Sequence, residues 1–158
     1  NGVIHVLDKV ILPMSVFELL KVNPEYSSLT AALMVADGGL DALLMDAASG
    51  PNTLFAPNDM AFSTLLQDLQ LADLTALVGA LGTAGVSEVL TYHVVDGNVN
   101  SDEVPTGMVK TVNGGNISIA MNGGVEITDA NGGVSMVTEV DIQGVNGVIH
   151  AIDKVLLP

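Results

Sequence analysis

The two ends of this chain are near copies of one another: residues 1–13 read NGVIHVLDKVILP and residues 146–158 read NGVIHAIDKVLLP. Three positions differ, Val6 for Ala151, Leu7 for Ile152 and Ile11 for Leu156, each an exchange of one apolar residue for another. A buried strand tolerates such drift while its pattern and approximate volume are kept. The offset from residue 1 to residue 146 sets a period of 145 residues. That is far beyond the roughly 20–50 residues of stacked repeat units, so the repeat marks whole domains. The expectation is a string of modules in which residues 1–13 are the terminal strand of the preceding one and 14–158 form a complete module. Two segments able to fill one place in a sheet also allow a strand-exchanged dimer through residues 1–13. The simpler arrangement is that the leading copy packs locally or frays, as chain termini often do.

Composition narrows the partners. With 49% hydrophobic and 14% charged residues, the chain has the apolar surface that a disordered segment lacks. Its formal net charge of −14 comes from 18 acidic residues set against four lysines and no arginine. Nucleic acid and anionic membrane surfaces are held by clusters of basic residues, so neither is an expected partner. Cations, neutral sugars and protein surfaces remain. There are no cysteines, which excludes disulfides and thiolate metal sites and leaves the compartment unread. No uninterrupted run of about 18 apolar residues suggests membrane insertion, and Asn1-Gly2 has no signal-peptide layout, so an export signal is expected upstream.

The first half reads helical. Ser15 and Glu18 have capping-box spacing for a helix through Val22, and Pro24 opens a second helix to about Asp37, stopped by Gly38-Gly39. A third helix is expected over 41–48, then a short apolar strand over 53–56 after Gly50-Pro51. Asn58 or Asp59 caps a helix through about Leu69, while Asp73 and Gly85 begin two further helical stretches ending near Thr91. From Met108 onward the chain reads as strands over 109–112, 117–121, 125–128, 134–140 and 147–157. Asn-Gly-Gly recurs at Asn113, Asn122 and Asn131. This nine-residue spacing lacks the internal Gly and Asp of calcium-binding nonapeptides, and Asn-Gly suits tight hairpins, so these are read as corners of a β-meander. Helices followed by a mostly antiparallel sheet give an α+β fold.

Three stretches resemble the fasciclin (FAS1) domain family: Thr53-Leu54-Phe55-Ala56-Pro57-Asn58-Asp59 with Ala61-Phe62 following, Leu90-Thr91-Tyr92-His93-Val94-Val95, and residues 146–158. They occur in the family's order and spacing and cover essentially all of 14–158. The resemblance implies a β-sheet wedge covered by helices, a secreted or cell-surface location, and an adhesive or matrix-binding role toward a surface protein, a glycan or another fasciclin module. The glycine-turn meander resembles microbial members more than some animal ones.

The same resemblance ties Tyr92 and His93 to partner recognition. Lying between an apolar helix and the sheet, the pair also fits a core role with polar tips bonded to backbone, as do His150 and its copy His5. Asp141 and Ile142 match part of an integrin-binding motif of animal members, with Val140 where that motif has proline; a core Ile142 and a turn-forming Asp141 are the plainer reading. Asp96, Asn98, Asn100 and Asp102 alternate as in a calcium loop, but Ser101 replaces the turn glycine and Gly107 the closing glutamate. Weak calcium binding and a solvated acidic loop are the two expectations. No cofactor is expected, and no nucleophile elbow, zinc-protease helix or phosphate loop signals an enzyme. A folded spacer without adhesive activity of its own is the alternative.

Overall fold

The computed structural model describes Asn1 and residues 13–37, 39–46 and 50–158. The expectations for the leading strand and its exchange and for Gly38 fall outside those residues, whereas the third helix, expected to reach 48, has already ended at Asp46, which is extended.

The helical layer begins as its capping signals require. Ser15 Oγ accepts the Glu18 N–H at 3.3 Å, and Glu18 Oε2 accepts the Ser15 N–H at 2.8 Å. This capping box starts α1 (Val16–Val22), which buries Val16, Phe17 and Leu20. Pro24 opens a 3-10 turn, Pro24–Tyr26, and α2 (Ser27–Val35) follows it. The helix stops short of Asp37 because Ala36 is already extended. Gly39, at φ 68°, leads into α3 (Leu40–Met45). The capping ambiguity before α4 (Asp59–Asp68) resolves in favour of Asn58, whose side chain accepts the Ala61 N–H at 2.9 Å. Asp59 instead fastens α4 to the start of α2, since its carboxylate accepts the Ser28 N–H at 2.8 Å.

Asp73 caps α5 (Leu74–Tyr92) through the Ala76 N–H at 2.8 Å. Two stretches were expected with a start at Gly85, but the break lies at Gly82, with φ 72° and ψ 166° inside the helix. An L-residue rarely adopts that conformation. By length and composition α5 alone among the described helices would suffice to cross a bilayer, although the sequence shows no uninterrupted apolar run. Here its Leu77, Val86, Leu90 and Tyr92 are buried within the domain.

Seven strands form one sheet in the order β2-β1-β7-β6-β5-β4-β3. They are β1 (Asn52–Pro57), β2 (Val94–Asp96), β3 (Gly107–Lys110), β4 (Asn116–Met121), β5 (Val125–Thr128), β6 (Val134–Gly144) and β7 (Gly147–Ile152). All neighbours are antiparallel except β1 and β7. The three Asn-Gly-Gly corners join β3 to β4, β4 to β5 and β5 to β6, with Gly114, Gly123 and Gly132 at positive φ. Three residues long and directly after a helix, β2 offers no alternation to read in sequence. The parallel contact is unusually close: a Cβ on Gly147 would stand 2.0 Å from the Asn52 carbonyl oxygen. Only glycine fits there.

The sheet curls until its edges approach, with the Val112 N–H donating to Val94 O at 2.8 Å. One apolar cluster lies under the helices around Leu20, Leu29, Leu33, Leu54 and Ile149. A second fills the curl around Phe55, Tyr92, Ile117, Ile127 and Leu156. Asn146, buried in the β6–β7 turn, joins the helices to the sheet: its Oδ1 accepts the Val16 N–H at 2.8 Å and its Nδ2 donates to Leu44 O at 2.7 Å. The result is an α+β fold.

Candidate functional site

Tyr92 and His93 stand where α5 runs into β2, and neither side chain has any exposed surface. His93 Nδ1 lies 2.8 Å from Val89 O, four residues back along the helix, and Nε2 lies 2.9 Å from the Leu156 backbone nitrogen. Those partners assign the tautomer, with Nδ1–H donating to the carbonyl and Nε2 accepting from the amide. The ring thereby joins α5 to the segment after β7. Burial outweighs the opposing pull of the Val89 bond and of Asp129 and pushes the imidazole down to about 4, so at neutral pH it is uncharged. The Tyr92 hydroxyl donates to Asn116 O at 2.6 Å and accepts the Ala130 N–H at 3.0 Å. It holds β4 and the third Asn-Gly-Gly corner to the helix, and burial raises its pKa.

Asp141 is placed quite differently. Opposite β7, β6 takes three steps from Glu139 to Ile142 where β7 takes two from Ala151 to Ile149. This β-bulge puts Asp141 at φ 60°, a conformation Asp accepts more readily than most residues. Its exposed carboxylate receives the Ser101 N–H at 2.8 Å and the Ser101 hydroxyl at 2.5 Å. Those two bonds hold the carboxyl below its ordinary value. Ile142 points the other way and packs, half-buried, against the helix-side cluster.

The loop after β2 meets this bulge at several points. Asn98 Oδ1 accepts from Gln143 Nε2 at 3.1 Å, and His150 Nε2 lies 2.8 Å from Val99 O. The His150 ring stacks on Phe55 with centroids 5.8 Å apart. Thr53 Oγ1 donates to Gly97 O at 2.7 Å and accepts the Val99 N–H at 3.0 Å. Asp141 and the loop carrying Asp96, Asn98, Asn100 and Asp102, separate in sequence, therefore form one corner of the surface. Of the four loop residues, Asp96 and Asp102 are exposed and Asn98 is engaged by Gln143. Among the described residues no group of three or more His, Cys, Asp or Glu side chains gathers to hold a metal. Ser101 and Gln143, which do the joining, had no signal in the sequence, since a serine and a glutamine 42 positions apart announce no contact.

Comparison with known proteins accords with this geometry. Residues 24–158 match the model of the fasciclin domain. A Synechocystis sp. protein is 33% identical over 146 residues, which cover 92% of this chain and 74% of that protein. Human periostin is 35% identical over 162 aligned residues, covering all of this chain but only 18% of periostin. Among solved structures, a FAS1 domain pair from the insect cell adhesion molecule fasciclin I superimposes with a TM-score of 0.71 at 18% identity, over 92% of this chain and 51% of the pair. The chain is thus a fraction of the larger relatives it matches, and it belongs to the fasciclin domain family.

Proposed function

We propose that this chain is an extracellular adhesion or matrix-binding module that works in a tandem array and has no enzymatic activity of its own. The observation that carries the reading is the fasciclin match over residues 24–158, together with the likeness to periostin and to an insect cell adhesion molecule. The end-to-end sequence repeat supports the array, in which weak single contacts gain strength through effective concentration. The polar side chains support a non-catalytic role. Tyr92, His93, His150 and Asn146 are all buried, and all are bonded to main-chain groups. Among the described residues these side chains leave no sheltered base facing a substrate.

The Asp141 corner is the surface we assign to a partner, a surface protein, a glycan or another fasciclin module. Its support is that an exposed carboxylate is held in one orientation by Ser101. Tyr92 and His93 serve recognition indirectly, by fixing the backbone that carries the loop. Weak calcium binding by Asp96, Asn98, Asn100 and Asp102 belongs to the same proposal.

Beads coated with the purified module test it. Clumping supports self-adhesion, and loss of clumping in chelator makes the loop of residues 96–103 the leading candidate for the cation. Beads that stay dispersed with and without calcium remove self-adhesion and favour a foreign ligand or the spacer reading, to which an evenly acidic surface is suited. Strand exchange is tested separately by the solution mass with and without residues 1–13; a monomer in both cases ends it.

A further inference from the structure

An apolar cavity lies beside His93, between α4, α5 and the segment after β7. Its volume is about 280 Å³, and its walls include Phe62, Leu65, Leu77, Leu81, Val89 and Leu157. An apolar cavity of about 150 Å³ already takes up benzene, so this one has room for about ten carbon atoms. We propose that it binds an uncharged aliphatic molecule, such as a medium-chain alcohol or the hydrocarbon part of a neutral lipid.

The charge of the ligand follows from what the walls offer. Glu88 supplies a carboxylate at one side, and both nitrogens of His93 are already bonded to main-chain groups. The adjoining pocket, which shares Leu65, Val155 and Leu157, holds Lys154 together with Asp68 and Asp129. Three acids, Glu88, Asp68 and Asp129, face the single cation Lys154, so a fatty-acid anion would meet a net like charge. An uncharged chain meets no such penalty and covers half-exposed leucines, since Leu69 is 46% and Leu81 43% exposed.

Entry has a structural basis too. The first half of α5 forms one wall, and no charged residue occurs between Asp73 and Glu88. That wall joins the rest of the helix through Gly82, at φ 72° and ψ 166°, where nothing lies within 4 Å of the position a Cβ would take. The backbone conformation and not crowding is what calls for glycine. Entry is expected to use rotation at this one residue, which precedes His93 by eleven positions and carries the wall with Leu77 and Leu81.

The test is a titration of the isotope-labelled module with 1-decanol and, separately, with decanoate, followed by methyl chemical shifts. Saturable shifts confined to Leu77, Leu81 and Val89 are expected with 1-decanol, with decanoate weaker by about tenfold or more. Leu81→Glu, at an exposed rim position, should weaken the alcohol by a similar factor while the remaining spectrum stays that of the folded module. Val89→Phe should fill the cavity and abolish the shifts. Absence of saturable shifts, or equal binding of alcohol and anion, overturns the proposal. So does a shift pattern at the same methyls that depends on protein concentration without ligand, because a second copy would then be the occupant.

Discussion

The Tyr92–His93 pair and the Asp141 corner both stood out in sequence as recognition candidates, and the fold treats them in opposite ways. The pair is sealed between α5, β4 and the segment after β7, with each polar atom bonded to backbone. The corner projects from a bulge, and its carboxylate is exposed although hydrogen-bonded. A buried polar group contributes to stability only while its partners remain, because losing one leaves the other unsatisfied away from water. An exposed group falls back on solvent. The pair should therefore govern folding, and the corner should govern binding.

The largest break in that comparison is His93→Leu. It leaves the Leu156 N–H without its acceptor in the interior and should cost about 3 kcal/mol, read by urea unfolding. Measurable adhesion surviving in the fraction that folds would agree with an indirect role for His93.

Acid titration comes next. The folded pKa of His93 is about 4 against an ordinary 6.5, so the unfolded chain takes up the proton first as pH falls. Stability is fully present above 6.5 and is lost on descending toward pH 4, in total by about 3 kcal/mol. In His93→Gln the slope between those values should flatten. Asp141 is also lowered, from its ordinary 3.8, so its smaller contribution is present above 3.8 and disappears only below it, as pH falls through the folded value. The two regions should separate on one pH axis, and a stability curve flat between 6.5 and 4 would contradict the histidine geometry.

Tyrosine substitutions sharpen the point at smaller magnitude. Tyr92→Phe orphans the Ala130 N–H and should cost about 1–2 kcal/mol. Tyr26 is equally sheltered, at 2% exposed, but its hydroxyl has no hydrogen-bond partner among the described residues, and burial carries its pKa up to about 12. Tyr26→Phe removes an unsatisfied group and should be neutral or stabilising by up to about 1 kcal/mol. Equal losses at the two positions would contradict the difference in hydroxyl bonding, because Tyr→Phe keeps the ring and removes only the hydroxyl.

The smallest effect on stability belongs to Asp141→Asn, within about 0.5 kcal/mol, as for most surface exchanges. Faster amide exchange at Ser101 should accompany it, since the Ser101 N–H then loses a charged acceptor. Bead clumping should fall in the same variant. Clumping unchanged in Asp141→Asn would move the partner surface elsewhere.

Much of the framework was legible before any coordinates. Ser15 with Glu18, Asn58 and Asp73 act within three or four residues of themselves, so spacing alone places α1, α4 and the start of α5. The Asn-Gly-Gly corners declare the meander for the same reason, because the positive φ each demands is a property of its own residues. Gly147 and Asn146 were recognisable as part of a repeated motif. Their reasons, a 2.0 Å approach to Asn52 and a bond to α1, required distant segments of the chain to be in place.

What the tertiary structure decided is which polar residues reach water. Spacing named Asp141 as a turn former, but it cannot show that β6 carries an extra residue opposite β7, that this sets Asp141 at φ 60°, or the seat it makes for Ser101. Nor could it place the α5 break at Gly82 in preference to Gly85, since every glycine of that helix permits the bend. Local chemistry fixes caps, turns and strand-forming patterns because those contacts lie close along the chain. Burial, cavity walls and the pairing of Ser101 with Asp141 depend on residues that only folding brings together.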